Sequence, residues 1–350
     1  MQQIVGSSSP DMDLIKLGCV FFMILEFFKG SRKSILSHLV HGVELFNRTG
    51  HGQESNSYDF MADTILSRMG LLQCLYGRPR KAHFPSSYRT SSHVRNHHLQ
   101  TFQNLEEARD ALVVLAASVL DFVGRVFYSA EPSSDNDFSE QEALSSRLQQ
   151  WSNLARTLLT GLQNRTDERS KNSSDSVAIA TVFLATATDQ SEISYDHHIN
   201  AFRFIVDTAV DIAHEIRVSE SAPRLFSFDP GLILCLFFTA IKCRDRDIRR
   251  KTVAMLRLVP AREGMWDATE AALVAEEAVR WEEGSMVGSS GGCLPVIPDT
   301  ARIYDTDLEE CVDNKQSVLR IKFRYKANAC FQDAIVFVDL PATDKRKSPR

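Results

Sequence analysis

The chain has 350 residues, 43% of them hydrophobic and 24% charged, with a formal net charge of −5. This is the ordinary globular mix, so it argues against a chain disordered throughout, and its mild acidity argues against global electrostatic wrapping of nucleic acid or an anionic membrane. The length suits one large helical domain or two smaller ones of roughly 100–200 residues, and one continuous helical array is expected.

The opening MQQIVGSSSPDMDLIKLG has no basic stretch leading into an apolar core. The apolar run from Leu17 to Phe28 is short and carries Glu26, which predicts a buried helix rather than a signal or membrane span. Cysteines at 19, 74, 235, 243, 293, 311 and 330 are dispersed, odd in number and mostly set among apolar neighbours, as expected of reduced, buried thiols inside a cell. Asn-x-Ser/Thr matches at Asn47, Asn164 and Asn172 are then chance, since they matter only in a secreted protein.

The first strong unit runs from about Asp11 to Phe46. A break at Lys29-Gly30-Ser31 separates an apolar helix from an amphipathic one whose face is Ile35, Leu39, Val43 and Phe46, which predicts an αα-hairpin. After the polar NRTGHGQESNS comes a helix around Tyr58 to Tyr76. The stretch 77–103 then turns basic, Ser-rich and His-rich around Pro79 and Pro85, and is expected as a mobile surface loop.

Asn104 and Glu107 form a capping-box-like pair at the head of the next helix. Its residues Leu105, Ala108, Leu112, Leu115, Val119, Phe122 and Val126 alternate at three and four positions, as a bundle seam or a coiled-coil dimer interface would. The same spacing recurs at Leu144, Leu148, Trp151, Ala155, Leu158 and Leu162, and again at Ile199, Phe202, Val206, Ala209, Ala213 and Ile216. A shorter apolar helix, Val177 to Thr186, lies between them, and EPSSDND and NRTDERSKNSSDS read as surface loops.

From Phe228, Asp229 can cap and Pro230 suits a first helical turn, while LILCLFFTAI is apolar nearly all round and belongs at the centre of the core. After a turn at Lys242 to Asp247, Ile248, Met255, Leu256 and Val259 form a stripe with Arg249, Arg250, Lys251 and Arg257 mainly off it. Asp267 and Glu270 then cap a helix through Glu283. Residues 284–316 read as a low-complexity loop and connector. Leu319, Ile321, Phe323 and Tyr325 alternate with basic residues and AIVFVDL follows, which predicts a β-hairpin and a basic tail over 317–350. The expected fold is mainly α, an array of αα-hairpins over 1–283 with a short C-terminal β-hairpin.

Motifs for chemistry are sparse. The pairs His97-His98 and His197-His198 are adjacent, so their side chains diverge, and His214-Glu215 lacks a second histidine four positions after the first. Gly288-Ser289-Ser290-Gly291-Gly292 matches G-x-S-x-G, but an acidic helix precedes it where that chemistry needs a strand. No catalytic, cofactor-binding or metal residue is therefore singled out, and no cofactor is expected. Two basic features could contact anions or be solvated surface: the cluster from Lys242 to Lys251, and the tail around Lys345, Arg346 and Lys347, which resembles a short nuclear-import signal.

Three segments occur in a distinctive order: LEFFKGSRKSILSHLVHGVELF at 25–46, NLEEARDALVVL at 104–115, and FSFDPGLILCLFFTAIKCRDRDIRRKTVAMLRLVPAREGMWDA at 226–268. With them the chain resembles the helical regulatory domain of fungal binuclear zinc-cluster transcription factors over most of residues 14–283. The resemblance implies transcription regulation in a fungal nucleus, often of metabolic or secondary-metabolite genes, through protein partners such as a DNA-binding factor or a second copy of the chain, with no catalysis and no membrane. Such factors bind DNA through six closely spaced N-terminal cysteines holding two zinc ions, and no position here matches them. The resemblance therefore fits a stand-alone regulator or the regulatory part of a longer factor. The alternatives are a helical interaction scaffold outside transcription, against which the lack of a regular repeat weighs, and an enzyme using a pocket in the helical body.

Overall fold

The computed structural model describes residues 12–29, 32–49, 65–66, 68–70, 101–127, 129, 132–161, 168–189, 191–218, 231–259, 262–263, 266–284, 297–313, 316–327 and 330–340. The first two helices are α1 (Met12–Lys29) and α2 (Arg32–Thr49), which pack on each other as the predicted hairpin. Ile35, Leu39 and Val43 are buried as their spacing requires. A close approach holds the pair: a Cβ on Gly42 would lie 3.2 Å from Leu66 Cδ2 and 3.6 Å from Cys19 Cβ. Residues 30–31 and 71–100, with most of the loop expected at 77–103, lie outside the described residues. At that loop's end Phe102 is buried, tilted against Trp151 at 6.1 Å.

Three long helices follow: α3 (Leu105–Phe127), α4 (Asp135–Gly161) and α5 (Glu168–Ala185). The cap on α3 forms as the sequence suggests, Glu107 N donating to Asn104 Oδ1 at 2.9 Å, while the Glu107 carboxylate reaches back to Gln103 N at 2.7 Å. Ala108, Leu112, Leu115, Val119, Phe122 and Val126 are all buried, and α4 and α5 pack against this helix, so the seam is filled within the chain as a bundle. Trp151 of α4 adds a directional tie, donating from Nε1 to Ala108 O at 2.7 Å. The short helix expected at 177–186 is the second half of α5, whose first turns are too polar to betray themselves by periodicity.

A 3₁₀ segment (Glu192–His198) leads into α6 (Ile199–Val218). Then come α7 (Leu232–Lys242), α8 (Arg246–Leu256), a two-stranded clip of β1 (Arg262–Glu263) and β2 (Trp266–Asp267), and α9 (Ala268–Gly284). Every residue of α7 is buried, so this almost wholly apolar helix is the core's axis, with α5, α6, α8 and α9 around it. Phe238 is its aromatic hub, with ring centroids 4.4 Å from Phe183, 5.9 Å from Phe202 and 6.1 Å from Tyr195. Phe237 meets Trp266 at 4.7 Å.

The start of α7 differs from expectation. Its cap residue is Gly231, which has no side chain to cap with, and Asp229 and Pro230 fall outside the described residues. Glu263, from the β-clip, takes the role instead: its two carboxylate oxygens accept from Leu232 N and Ile233 N, each at 2.8 Å. A carboxylate at a helix N-terminus satisfies orphan donors and favours the helix dipole. Asp267 caps α9 as predicted, accepting from Thr269 N at 2.9 Å and Glu270 N at 3.2 Å.

The last described elements form a three-stranded antiparallel sheet, β3 (Ile303–Asp313), β4 (Gln316–Ala327) and β5 (Cys330–Asp339), in that spatial order. The predicted hairpin is β4–β5. The stretch expected as connector up to 316 contains a strand, because Asp305, Asp307 and Glu309 sit on its outer face, opposite Arg324, Lys322 and Arg320, and hide its alternation. The inner face, with Leu319, Ile321 and Phe323 buried, lies on Trp281 of α9, whose ring is 6.3 Å from Phe323 and 5.8 Å from Tyr325. Among the described residues no helix is long and apolar enough to cross a membrane.

Candidate functional site: a buried ionic clasp

Charged side chains converge where the sheet joins the helices. Lys242 ends α7, and the Cys243–Asp245 turn that follows is capped onto α8 by Asp245 Oδ1, which accepts from Ile248 N at 2.9 Å. That turn aims Lys242 and Arg244 into the interior, and the first turn of α8 sends Arg249 after them.

Two carboxylates receive these cations. Glu192, at the head of the 3₁₀ segment and fully buried, lies 2.8 Å from Lys242 Nζ through Oε1 and 3.3 Å from Arg244 Nη1 through Oε2. Glu282, near the end of α9 and equally buried, accepts from Arg244 Nη2 at 2.9 Å and from the Ile303 backbone N at 2.7 Å. Its other oxygen stands 2.8 Å from Arg249 Nη2 without an aligned N–H, a close ion pair rather than a hydrogen bond. Burial works against the charge on Arg244, but Glu282 and Glu192 outweigh it, so its pKa rises above the ordinary value. For Arg249 burial wins and the pKa is lowered. Burial also pushes the neighbouring Cys243 thiol up to about 11, leaving it an unreactive thiol at neutral pH.

A second pair extends the network. Arg302, 1% exposed, forks onto Asp196 at 2.8 and 2.7 Å, and also donates to Glu192 O and Ile297 O, each at 3.0 Å. Asp299 accepts from Glu192 N at 3.0 Å and from Tyr304 Oη at 2.9 Å. Burial, then that bond to a carboxylate, raises the Tyr304 pKa. Four cations (Lys242, Arg244, Arg249, Arg302) thus face four anions (Glu192, Glu282, Asp196, Asp299), a locally neutral set.

The basic cluster from Lys242 to Lys251 therefore divides. Lys242, Arg244 and Arg249 turn inward, correcting the expectation of a solvated or anion-contacting face, while Arg246, Arg250 and Lys251 remain exposed. Arg249 in particular belongs to the buried side of α8. His197 is exposed, and the His198 pKa is lowered by partial burial and by His197 beside it. Cys235 and Cys243 are buried as expected, whereas Cys330 is exposed. Lys345, Arg346 and Lys347, His97-His98 and 288–292 lie outside the described residues.

Sequence reasoning missed Glu192, Glu282, Asp196, Asp299 and Arg302. One signal was present: Ala271, Ala275 and Ala278 form the buried stripe of α9, and Glu282 occupies its next position. A carboxylate on a core stripe needs a buried partner. In the clasp each carboxylate already accepts several donors, an arrangement suited to fixing the sheet on the helices rather than to moving protons. A groove of about 600 Å³ along α4, between Glu142 and Leu154, carries Ser145, Ser146, Gln149, Gln150 and Asn153, a polar lining without convergent charge.

No protein-family model, no curated protein and no solved structure matches the chain.

Proposed function

We propose that the chain is a transcription regulator of the kind its resemblance to the regulatory domain of fungal zinc-cluster factors implies. It works in the nucleus by protein contact rather than catalysis, on metabolic or secondary-metabolite genes. What supports the reading is the placement of the most distinctive segment, 226–268. Its apolar stretch forms the core helix α7, its Lys-Cys-Arg-Asp and Ile-Arg-Arg residues supply three of the clasp's four cations, and its Trp266 packs on Phe237. A motif that supplies so much of the interior identifies a fold-defining unit, and a rigid helical body is a suitable platform for partner contacts.

The test is localisation and transcript profiling in the organism that encodes the chain. A tagged copy is expected in the nucleus, and deletion is expected to change transcripts from a coherent gene set. A protein confined to the cytoplasm whose loss changes no transcript would overturn the reading and favour a scaffold outside transcription.

A further inference from the structure

The two edges of the C-terminal sheet are built differently. The β3 edge carries Asp305, Asp307, Glu309, Glu310 and Asp313 and shifts register between Ile303 and Asp305, the devices that keep an edge from pairing. The β5 edge, CFQDAIVFVD, has no Lys, Arg or Pro, and among the described residues it pairs only with β4. Its outward side chains Phe331, Ile335 and Phe337 are 52%, 49% and 62% exposed. Of the two carboxylates in that row, Asp333 is held by Arg324 at 3.1 Å and lies 4.0 Å from Lys322, and Asp339 ends the strand.

The charge pattern decides which contact this surface can make with its like. Stacking two outer faces about a two-fold axis lays β4 over β4, so Arg320, Lys322 and Arg324 of one copy oppose the same residues of the other. Pairing β5 with β5 edge to edge avoids this, because two strands then lie between the basic rows. Within the outward row, the stretch Phe331, Asp333, Ile335, Phe337 begins and ends on a Phe. Centred on Ala334, an antiparallel pair sets Phe331 against Phe337 twice and Asp333 against Ile335 twice. Centring on Asp333 would oppose that carboxylate with its own copy, and centring on Ile335 would set each Phe against an Asp.

We propose that β5 is a homodimer interface, joining two copies of this chain into a continuous six-stranded antiparallel sheet with Ala334 on the two-fold axis. The inference holds whether or not the chain regulates transcription.

The test is sedimentation of the full chain over a micromolar concentration series. Wild type is expected at twice the monomer mass. Ile335→Asp sets a carboxylate against Asp333 of the second copy and is expected to weaken dimerisation by about 100-fold or more, while Lys322, its neighbour on β4, keeps it compatible with the monomer fold. Ile335→Lys meets that same Asp333 and is expected to remain dimeric. A cross-link checks the register independently of these variants: in a Cys330→Ser background, Ala334→Cys is expected to form an interchain disulfide on oxidation, which the Cys330→Ser parent does not form, since paired Cα atoms are about 4.5–5.5 Å apart. A monomeric wild type, a dimer insensitive to Ile335→Asp, or no Ala334→Cys cross-link each overturns the proposal.

Discussion

Lys242 Nζ lies 2.8 and 3.0 Å from the two carboxylate oxygens of Glu192, 50 residues earlier, and donates as well to Tyr304 O at 2.9 Å. One ammonium thus joins the core helix, the 3₁₀ segment and the first strand of the sheet, with Lys242 4% exposed. Removing one partner of a buried pair strands the other, at a cost of about 3–5 kcal/mol, whereas replacing both by apolar residues of similar size is often neutral. Glu192→Ala is expected to lower unfolding stability by that amount. Glu192→Met with Lys242→Met together is expected to lose less than the sum of the single variants. Urea unfolding of the set measures both.

Glu282 offers a sharper separation, because one oxygen serves charge and backbone together. Glu282→Gln keeps an acceptor for Ile303 N but leaves Arg249 without its counter-charge; Glu282→Ala removes both. Both are expected to lose about 3 kcal/mol or more. Only Glu282→Ala is expected to speed hydrogen exchange at the Ile303 amide beyond the global change, as read by NMR or mass spectrometry.

The cap on α7 predicts a coupled pair. A Cβ at Gly231 would lie 2.3 Å from Glu263 Oε1, so Gly231→Ala must displace the carboxylate that holds Leu232 N and Ile233 N. Gly231→Ala and Glu263→Ala are each expected to cost about 1–3 kcal/mol, and the double variant little more than the worse single one, since both lose the same cap. Additive losses in thermal or urea midpoints would refute the shared mechanism.

Asp175 of α5 is fully buried, and burial pushes its carboxyl pKa well above the ordinary value. The Thr208 hydroxyl offsets this only in part, since its proton already goes to Phe204 O at 2.9 Å. The folded state therefore keeps a proton that the unfolded chain releases near pH 4. Stability attached to this group is complete below that pH and falls by about 1.4 kcal/mol per unit as pH rises toward the folded pKa. Asp175→Asn is expected to be more stable than wild type at pH 8, with the difference vanishing near pH 4. A pH-independent difference between the two unfolding curves would contradict this.

Helices were legible wherever one face alternates at three and four positions, as from Ala108 to Val126, and caps were legible where the capping residue is adjacent, as Asp267 is to α9. Glu263 was not, because a cap supplied from 31 residues downstream leaves no local trace. Arg249 misled for the same reason: an arginine on a helix reads as solvent-facing until Glu282 of a distant helix is brought to it. Strand β3 was hidden because Asp305, Asp307 and Glu309 make its outer row look like a loop, although they pair with the basic row of β4, as Glu309 does with Arg320 at 3.2 Å. The clasp was the least legible feature, since its members are separated along the chain and only the fold assembles them.

Fusing the chain to a DNA-binding domain of known target, and measuring transcription of a reporter carrying that target in a fungal nucleus, addresses the proposed role most directly. A regulator acting through protein partners is expected to shift reporter output several-fold from that of the DNA-binding domain alone, and Glu282→Ala is expected to abolish the shift by releasing the clasp. Output indistinguishable from the DNA-binding domain alone, with the fusion folded and nuclear, would contradict it.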